Sequence, residues 1–465
     1  MAKRSDIFNE TTQRAPDTNI AWGVADLLLL FAAVLIERLF MQGRLNLPAL
    51  STRELIQMLL FMGFGMFFFW GFEMYSIVLL KPWPTFVTCV LSGIYTFICT
   101  ALIPFIFSRS THGFAALARC CALGFTMLFI WRVGLYYFHK NKTHRQRMLM
   151  IERLKDDNSR VRRMKYACLS RFDAWYEQVD IDNVESVKKF IAERFPDYDV
   201  ICLMETVPYE VRDLFLNAGM KMGKDFYVVP VMYEMNFAKV KFAFLDDVMV
   251  FHLLPTRIDE SNMAVKRIMD VVFSLVGIIV AAVPMAIIAL LIKLTSPGPV
   301  IYKQVRLTQG KRPFYIYKFR SMVNDAEAKS GPTVAVRNDP RITPVGRIIR
   351  KMRLDELPQL FNILKGDMSV VGPRPERPFF VEQYEYEIPN YDQRFAVRAG
   401  LTALSHVYGR YSTDIADRTR YDLLYVQNYS LMMDIRVMLL TSRTIFLGDA
   451  AEGVWTVDRR TVSKP

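Results

Sequence analysis

Residues 350–375 read RKMRLDELPQLFNILKGDMSVVGPRP. Two adjacent carboxylates, Asp355 and Glu356, stand directly before a helix-like apolar pattern of Leu357, Leu360, Phe361 and Leu364. Arg350, Lys351 and Arg353 precede them, and the stiff segment Gly372-Pro373-Arg374-Pro375 follows. Pro358 sets the register, because proline is tolerated in the first turn of a helix and not in its interior. The pattern predicts Asp355 and Glu356 at or just before a helix N-terminus, where free N–H groups and the positive dipole end collect. Such an end also suits a phosphate. One short segment therefore offers a carboxylate pair, an anion site and several arginines.

Upstream, residues 301–353 hold thirteen Lys/Arg and only three acids. Such a run is ordinarily a solvated face or a membrane-surface patch, yet this one leads straight into the carboxylate pair. Residues 300–306 and 313–320 read as paired strands around Gln309-Gly310. Before them lies an apolar run, residues 271–294, long enough to cross a hydrocarbon core. Pro284 at its centre and cations on both flanks (Lys266 and Arg267 before, Lys293, Lys303 and Arg306 after) argue otherwise. Positive flanks put both ends on the cytoplasmic face. The expectation is a re-entrant helix, broken at Pro284, that enters and leaves one leaflet. Downstream, residues 431–447 read as an apolar-rich helix whose apolar face packs on the core or lies in the interface.

The whole chain has 465 residues, 52% hydrophobic and 13% aromatic, with a net charge of +13. It is too apolar for an ordinary soluble protein. The basic balance points to anionic lipid or phosphate substrates; no nucleic-acid motif accompanies it. Four of the six cysteines fall in apolar segments and none has metal-ligand spacing, so neither a disulfide framework nor a cysteine metal site is expected. Four apolar runs, residues 20–41, 55–76, 85–107 and 114–138, each suffice to span. Trp22, Trp70, Trp83 and Trp131 lie near their ends, as interfacial tryptophans do. Lys3, Arg4 and Arg14 before the first run and the cations after the fourth place both ends in the cytoplasm. A polar start without a small-residue cleavage site reads as an anchor rather than a removed signal peptide. Asp26 interrupts the first run; an intramembrane Asp hints at function, but its place near the helix end favours the plainer reading that it reaches the interface.

Residues 142–258 alternate short strand patterns (147–151, 198–204, 226–231) with helical ones (184–195, 209–218), which suggests a small α/β domain with a parallel sheet. No G-x-G-x-x-G follows the first strand, so the backbone offers no close approach to a pyrophosphate. A structural or regulatory domain is favoured over a nucleotide-binding one.

Adjacent carboxylates seldom flank a sugar as glycoside hydrolysis requires. Phosphoryl-type transfer fits better. Arginines and a divalent cation neutralise phosphates, an Asp can attack phosphorus, and hard oxygen ligands favour Mg²⁺.

Several segments then form one ordered set. They are Lys266-Arg267-x-x-Asp270, the Pro284 run, Tyr317-Lys318-Phe319-Arg320-Ser321-Met322, Asn338-Asp339-Pro340-Arg341, the stretch from Leu354 to Asn362, Lys365-Gly366-Asp367-Met368-Ser369 and Val371-Gly372-Pro373-Arg374-Pro375. Together they resemble the bacterial sugar transferases, the monotopic polyprenol-phosphate phosphoglycosyl transferases, over about residues 262–448. With four N-terminal spans the chain looks like the large form of that family, which starts O-antigen, capsule or exopolysaccharide synthesis. The resemblance implies a membrane α plus α/β fold. Its parts are a four-helix transmembrane domain (1–141), a Rossmann-like cytoplasmic domain without the glycine fingerprint (142–258) and a mixed α/β catalytic domain with the re-entrant helix (259–465). It implies transfer of a sugar-1-phosphate from a UDP-sugar to undecaprenyl phosphate at the cytoplasmic face of the bacterial inner membrane, with UMP leaving first. By motif position Asp355 is the nucleophile and Glu356 assists. Mg²⁺ sits near Asp355. Arg350, Arg374 and Arg410 lie around the phosphates or nucleotide, and Lys318 and Arg320 are structural or phosphate-facing. Lys266, Arg267, Asp270 and Pro284 belong to the membrane helix. A homodimer is expected from the resemblance alone.

Some positions depart from the family's pattern. Its later motif, commonly R-P-G-x-T-G-x-x-Q-V-x-G-R, has Ala399, Ala403 and His406 here where Pro, the second Gly and Gln are usual. Val283 replaces the Ser that often precedes the helix-breaking Pro. Two rivals stand beside this reading: a sugar-nucleotide dehydratase or epimerase fusion, which NAD bound to the purified protein would favour, and a non-catalytic membrane scaffold, which absence of UMP release would favour.

Overall fold

A computed structural model describes residues 14–42, 52–75, 81–108, 114–142, 146–153, 172–181, 183–237, 240–245, 248–253, 258, 260–323, 339–409 and 413–447. Residues 137–237 form one compact unit, and the flanking parts of the chain form a second.

The second unit begins with four long helices, α1 (Arg14–Gln42), α2 (Thr52–Gly71), α3 (Pro82–Ser108) and α4 (Phe114–Lys142). Their facing sides bury Leu30, Phe61, Phe69, Phe72, Phe125 and Leu128. Three contain segments long and apolar enough to cross a membrane: Glu54–Gly71, Pro82–Ile103 and Phe114–Phe138. In α1, Asp26 faces the other helices. It is fully buried and paired with Arg132 of α4, whose guanidinium also donates to the Met74 carbonyl at 3.1 Å. That cation lies 5.1 Å from the Tyr75 ring centroid and 5.5 Å from that of Trp22. A carboxylate without water nearby must find a cation, and here the partner comes from another helix.

The middle unit contains β1 (Gln146–Arg153), β2 (Phe172–Val179), α5 (Val184–Arg194), β3 (Val200–Leu203), α6 (Tyr209–Lys221) and β4 (Asp225–Val228). The strands are all parallel in the order β2-β1-β3-β4. The central strands read as apolar runs because both their faces are covered: Met148, Leu149, Met150 and Ile151 of β1 are buried. Strand β2 was not legible, since its sequence FDAWYEQV carries charges suited to a sheet edge.

After an antiparallel hairpin of β5 (Val240–Leu245) and β6 (Val248–Leu253), the chain enters α7 (Glu260–Thr295). This helix has 36 residues with Pro284 inside it. The apolar run is thus one helix and not two halves; a proline removes one hydrogen bond and bends a helix without necessarily ending it. Its segment Ser261–Thr295 is long and apolar enough to span. One stripe, Asp270, Ser274, Ala281, Ile288 and Ile292, is buried, while Ile279, Val280, Val283, Leu290 and Leu294 on its other sides are exposed.

Then follow β7 (Ile301–Leu307), β8 (Pro313–Phe319), α8 (Pro344–Lys351), α9 (Gln359–Lys365), β9 (Met368–Val371), α10 (Pro378–Glu387), β10 (Ala399–Thr402), α11 (Leu404–Tyr408), α12 (Ile415–Gln427) and α13 (Leu431–Leu447). As expected, β7 and β8 pair antiparallel, and Gly310 turns between them at φ 65°. Strands β9 and β10 pair in parallel. Both ends of α7 are tied to this α/β body. At its start, Lys266 donates to Asp434 (2.7 Å), Tyr425 (3.0 Å) and the Val371 carbonyl (2.9 Å). Arg267 caps the carbonyls of Ile363 and Leu364, and Asp270 accepts from Ser369 and from the Val370 N–H. At its end, Ile288 and Ile292 pack with Phe319 and Ile349. The four membrane-motif residues therefore divide into three polar anchors and one internal proline.

Candidate active site

Thr343 caps α8, its hydroxyl accepting from the Gly346 N–H at 3.0 Å. Pro344 opens the helix, and Arg350 and Lys351 occupy its last turn. Arg353 then takes a left-handed conformation, φ 55°. That region is uncommon for a residue with a side chain, and such strain concentrates at functional sites. It turns the chain into a single 3₁₀ turn, Leu354–Glu356, ahead of α9. The carboxylates thus precede the helix, as Pro358 implied. The helix itself is only seven residues long, too short for its dipole to be the anion site expected from the sequence. The cations around the pair take that part.

Asn362 locks α9 to β8. Its carbonyl accepts from the Tyr317 N–H at 3.0 Å and its amide donates to the Tyr315 carbonyl at 2.8 Å. This sets Lys318, the next residue of β8, against the pair: its ammonium donates to Glu356 at 2.8 Å. On the other side, the Arg374 guanidinium lies 3.7 Å from the same Glu356 oxygen and bonds His406 Nε2 at 3.0 Å. A guanidinium only donates, so the His406 ring is neutral and accepts there. Burial, then the neighbouring Arg374 and Arg353 charges, hold its pKa well below the usual histidine range.

The Arg374 segment is itself held by two arginines. Arg394 donates to the Arg374 carbonyl at 2.8 Å and to Asp422 at 2.6 Å, and Arg306 donates to the Pro375 carbonyl at 3.0 Å. Gly372 passes close to β10: a Cβ there would sit 2.4 Å from the Arg398 carbonyl oxygen. Only glycine allows the two backbones to approach this closely.

Burial opposes ionisation of Glu356, but Lys318, Arg374 and Arg353 outweigh it and hold it below the usual carboxylate range. Asp355 behaves oppositely. Burial and then the Glu356 charge push it up to about 6, against the pull of Lys318 and Arg350. No side chain among the described residues donates a hydrogen bond to the Asp355 carboxylate. One carboxylate is clamped by cations that favour its charged form; its neighbour is open and its pKa is raised.

The structure therefore brings together Asp355, Glu356, Lys318, Arg350 and Arg374. Arg320 lies elsewhere: it is 5% exposed and its fork caps the end of α7 through the Ser296 and Pro297 carbonyls at 2.7 and 2.8 Å. Arg410 lies outside the described residues. Arg353 and His406 join the site although the sequence reading assigned them no role in it. The clue for Arg353 was a cation two residues before Asp355; for His406 it was the departure from the family motif.

A family model described as bacterial sugar transferase matches residues 261–448. A putative undecaprenyl-phosphate N-acetylgalactosaminyl 1-phosphate transferase of Bacillus subtilis is 54% identical over 132 residues, 28% of this chain and 73% of that protein. The chain belongs to the bacterial sugar transferase family. An exopolysaccharide production protein of Rhizobium leguminosarum is 44% identical over 188 residues, 39% of this chain and 94% of its own length. A UDP-N-acetylgalactosamine-undecaprenyl-phosphate N-acetylgalactosaminephosphotransferase of Aeromonas hydrophila is 42% identical over 229 residues, 48% of this chain. The chain covers about half of that protein, 53%. The carboxylate pair falls inside the matched region.

Proposed function

We propose that the protein transfers a sugar-1-phosphate from a UDP-sugar to undecaprenyl phosphate, through a phosphosugar ester on Asp355. The observation that carries this reading is the contrast between the open Asp355 carboxylate and the clamped Glu356 beside it. An Asp Oδ attacks the phosphorus that bears the sugar. The Oδ–P bond forms, the bond to the bridging oxygen breaks, and UMP leaves with that oxygen. A phosphate oxygen of undecaprenyl phosphate then attacks the same phosphorus and releases the carboxylate. Splitting the transfer this way replaces one hard step by two easier ones. The relatives' names supply the acceptor and sugar-phosphate class.

In this reading Glu356 remains a carboxylate and sets the Lys318 ammonium and the Arg374 guanidinium against the diphosphate. Arg350 and Arg353 add positive charge where the phosphorane charge develops, which is where preorganised cations lower a barrier most. Mg²⁺ fits the donor set in one way. Among the described residues no three His, Cys, Asp or Glu side chains gather to hold a metal. Mg²⁺, though, is ordinarily bound by one or two carboxylates plus substrate phosphates, and Asp355 has open lone pairs to offer. When bound, it would neutralise diphosphate charge.

The tie of both α7 ends to one α/β body supports a re-entrant α7, with its exposed apolar side in one leaflet and the site at the cytoplasmic face of the membrane. The transfer would initiate a surface polysaccharide, and a homodimer rests on the family resemblance alone. Release of UMP from a panel of UDP-sugars, with undecaprenyl phosphate and Mg²⁺ present, tests the reading; no release from any member contradicts it.

A further inference from the structure

The end of membrane helix α2 is joined to α13 at three points and to α11 at a fourth. Arg443 of α13 donates to the Phe72 carbonyl at 2.8 Å. The Arg436 guanidinium lies 4.2 Å from the Trp70 ring centroid. Leu439 sits on Gly71 so closely that a Cβ there would lie 2.6 Å from its Cδ1. The fourth point reaches furthest. The Glu73 carboxylate accepts a hydrogen bond from the Tyr408 hydroxyl. Tyr408 closes α11, and its ring stacks on Tyr421 with centroids 6.2 Å apart. Two residues back on the same short helix, His406 holds Arg374 at 3.0 Å.

Glu73 makes this bond from a left-handed backbone, φ 59°. That conformation disfavours a residue with a side chain and suits glycine. Glutamate there is a poor choice for the turn and a good one for the bond. A five-residue helix has little rigidity of its own, so its position follows what its ends hold. The links run without a gap from Glu73 to Tyr408, through α11 to His406, and on to Arg374 and Glu356.

We propose that Glu73 of the membrane bundle is a positioning residue for the transferase site, acting through Tyr408 and His406 on Arg374. Its catalytic readout rests on the function proposed above; its structural readout does not.

The test uses the full chain in nanodiscs, with Glu73→Gly, Glu73→Gln, Tyr408→Phe and the Glu73→Gly/Tyr408→Phe double variant. Glycine suits the backbone, so folding is preserved while the carboxylate is lost. Hydrogen exchange over residues 404–409 should speed up equally in Glu73→Gly, Tyr408→Phe and the double variant, with residues 54–71 unchanged. With UDP-N-acetylgalactosamine and UDP-glucose as probes, UMP release should slow roughly 5–10-fold in each, since sub-ångström misplacement is felt in the rate. The double variant should be no slower than either single one, and the number of sites that take up sugar-phosphate should stay at the wild-type value. Glu73→Gln, which keeps an acceptor, should fall between. Unchanged exchange over 404–409 overturns the proposal, as does a rate loss matched by an equal loss of labelled sites. If the wild type releases no UMP from these probes or from any other member of the UDP-sugar panel, the functional reading fails, and exchange alone decides the coupling.

Discussion

Lys318 donates to Glu356 at 2.8 Å, while no side chain among the described residues donates to Asp355. Two carboxylates adjacent in sequence therefore hold different protonation behaviour in the same site. The clamp comes from a strand 38 residues upstream, placed by the Asn362 bridge between α9 and β8.

This asymmetry has a pH signature. Attack needs the ionised Asp355, and its pKa stands at about 6 because burial and the Glu356 charge disfavour the anion. As pH falls through 6 the nucleophile protonates, so kcat/KM for UMP release should fall by about tenfold per pH unit below that point and level above it. Glu356, held lower, should contribute no limb near neutrality. A flat profile between pH 5 and 8 would contradict the assignment.

Arg374 has its backbone held at two consecutive carbonyls, its own by Arg394 and that of Pro375 by Arg306. A charge-assisted hydrogen bond contributes about 1.5–3 kcal/mol. Arg374→Ala should therefore lower turnover by roughly 10–100-fold, at about 1.4 kcal/mol per decade. Arg374→Lys should recover it only in part, because an ammonium lacks the fork that reaches both His406 and Glu356. Steady-state kinetics of the two variants check this, and wild-type values in the Ala variant would remove Arg374 from the site.

The Lys266–Asp434 pair is buried on both sides, with side-chain exposures of 7% and 0%. Lys266→Met leaves a buried carboxylate without its cation and should destabilise the protein by about 3–5 kcal/mol. Adding Asp434→Leu should recover much of that loss, since an apolar pair of similar volume needs no desolvation of charge. Denaturant melts in detergent measure both; a double variant as unstable as the sum of the singles would show that the pair is not the coupled unit described.

Local features of this fold were legible where neighbours in sequence decide them. Pro358 fixed the start of α9, Gln309-Gly310 the β7–β8 turn, and the apolar spacing of residues 431–447 the helix α13. Features decided by distant partners were not. The ion pair of Asp26 could not be read because Arg132 stands 106 positions away. Arg320 was left as structural or phosphate-facing, because the carbonyls it caps, Ser296 and Pro297 just past α7, stand more than twenty positions away. His406 was noticed only as a departure, and its contact with Arg374 depends on β9 and β10 lying side by side.

The topology of α7 has its own test. Ser261 opens α7 and Gln309 lies beyond its end, and a re-entrant path leaves both on the cytoplasmic side. Cysteines placed at these positions in a cysteine-free background should both resist an impermeant thiol reagent in intact cells and react after lysis. Labelling of only one in intact cells would establish a spanning helix instead.

The most direct measurement is mass mapping of the enzyme incubated with Mg²⁺ and its UDP-sugar but no undecaprenyl phosphate. The account predicts up to one sugar-phosphate per active site, carried on Asp355 and removed by undecaprenyl phosphate. Asp355→Asn should abolish both the adduct and turnover, a loss of about 10⁴–10⁶-fold for a covalent-catalysis residue. An adduct on Glu356, or near-normal turnover in Asp355→Asn, would contradict it.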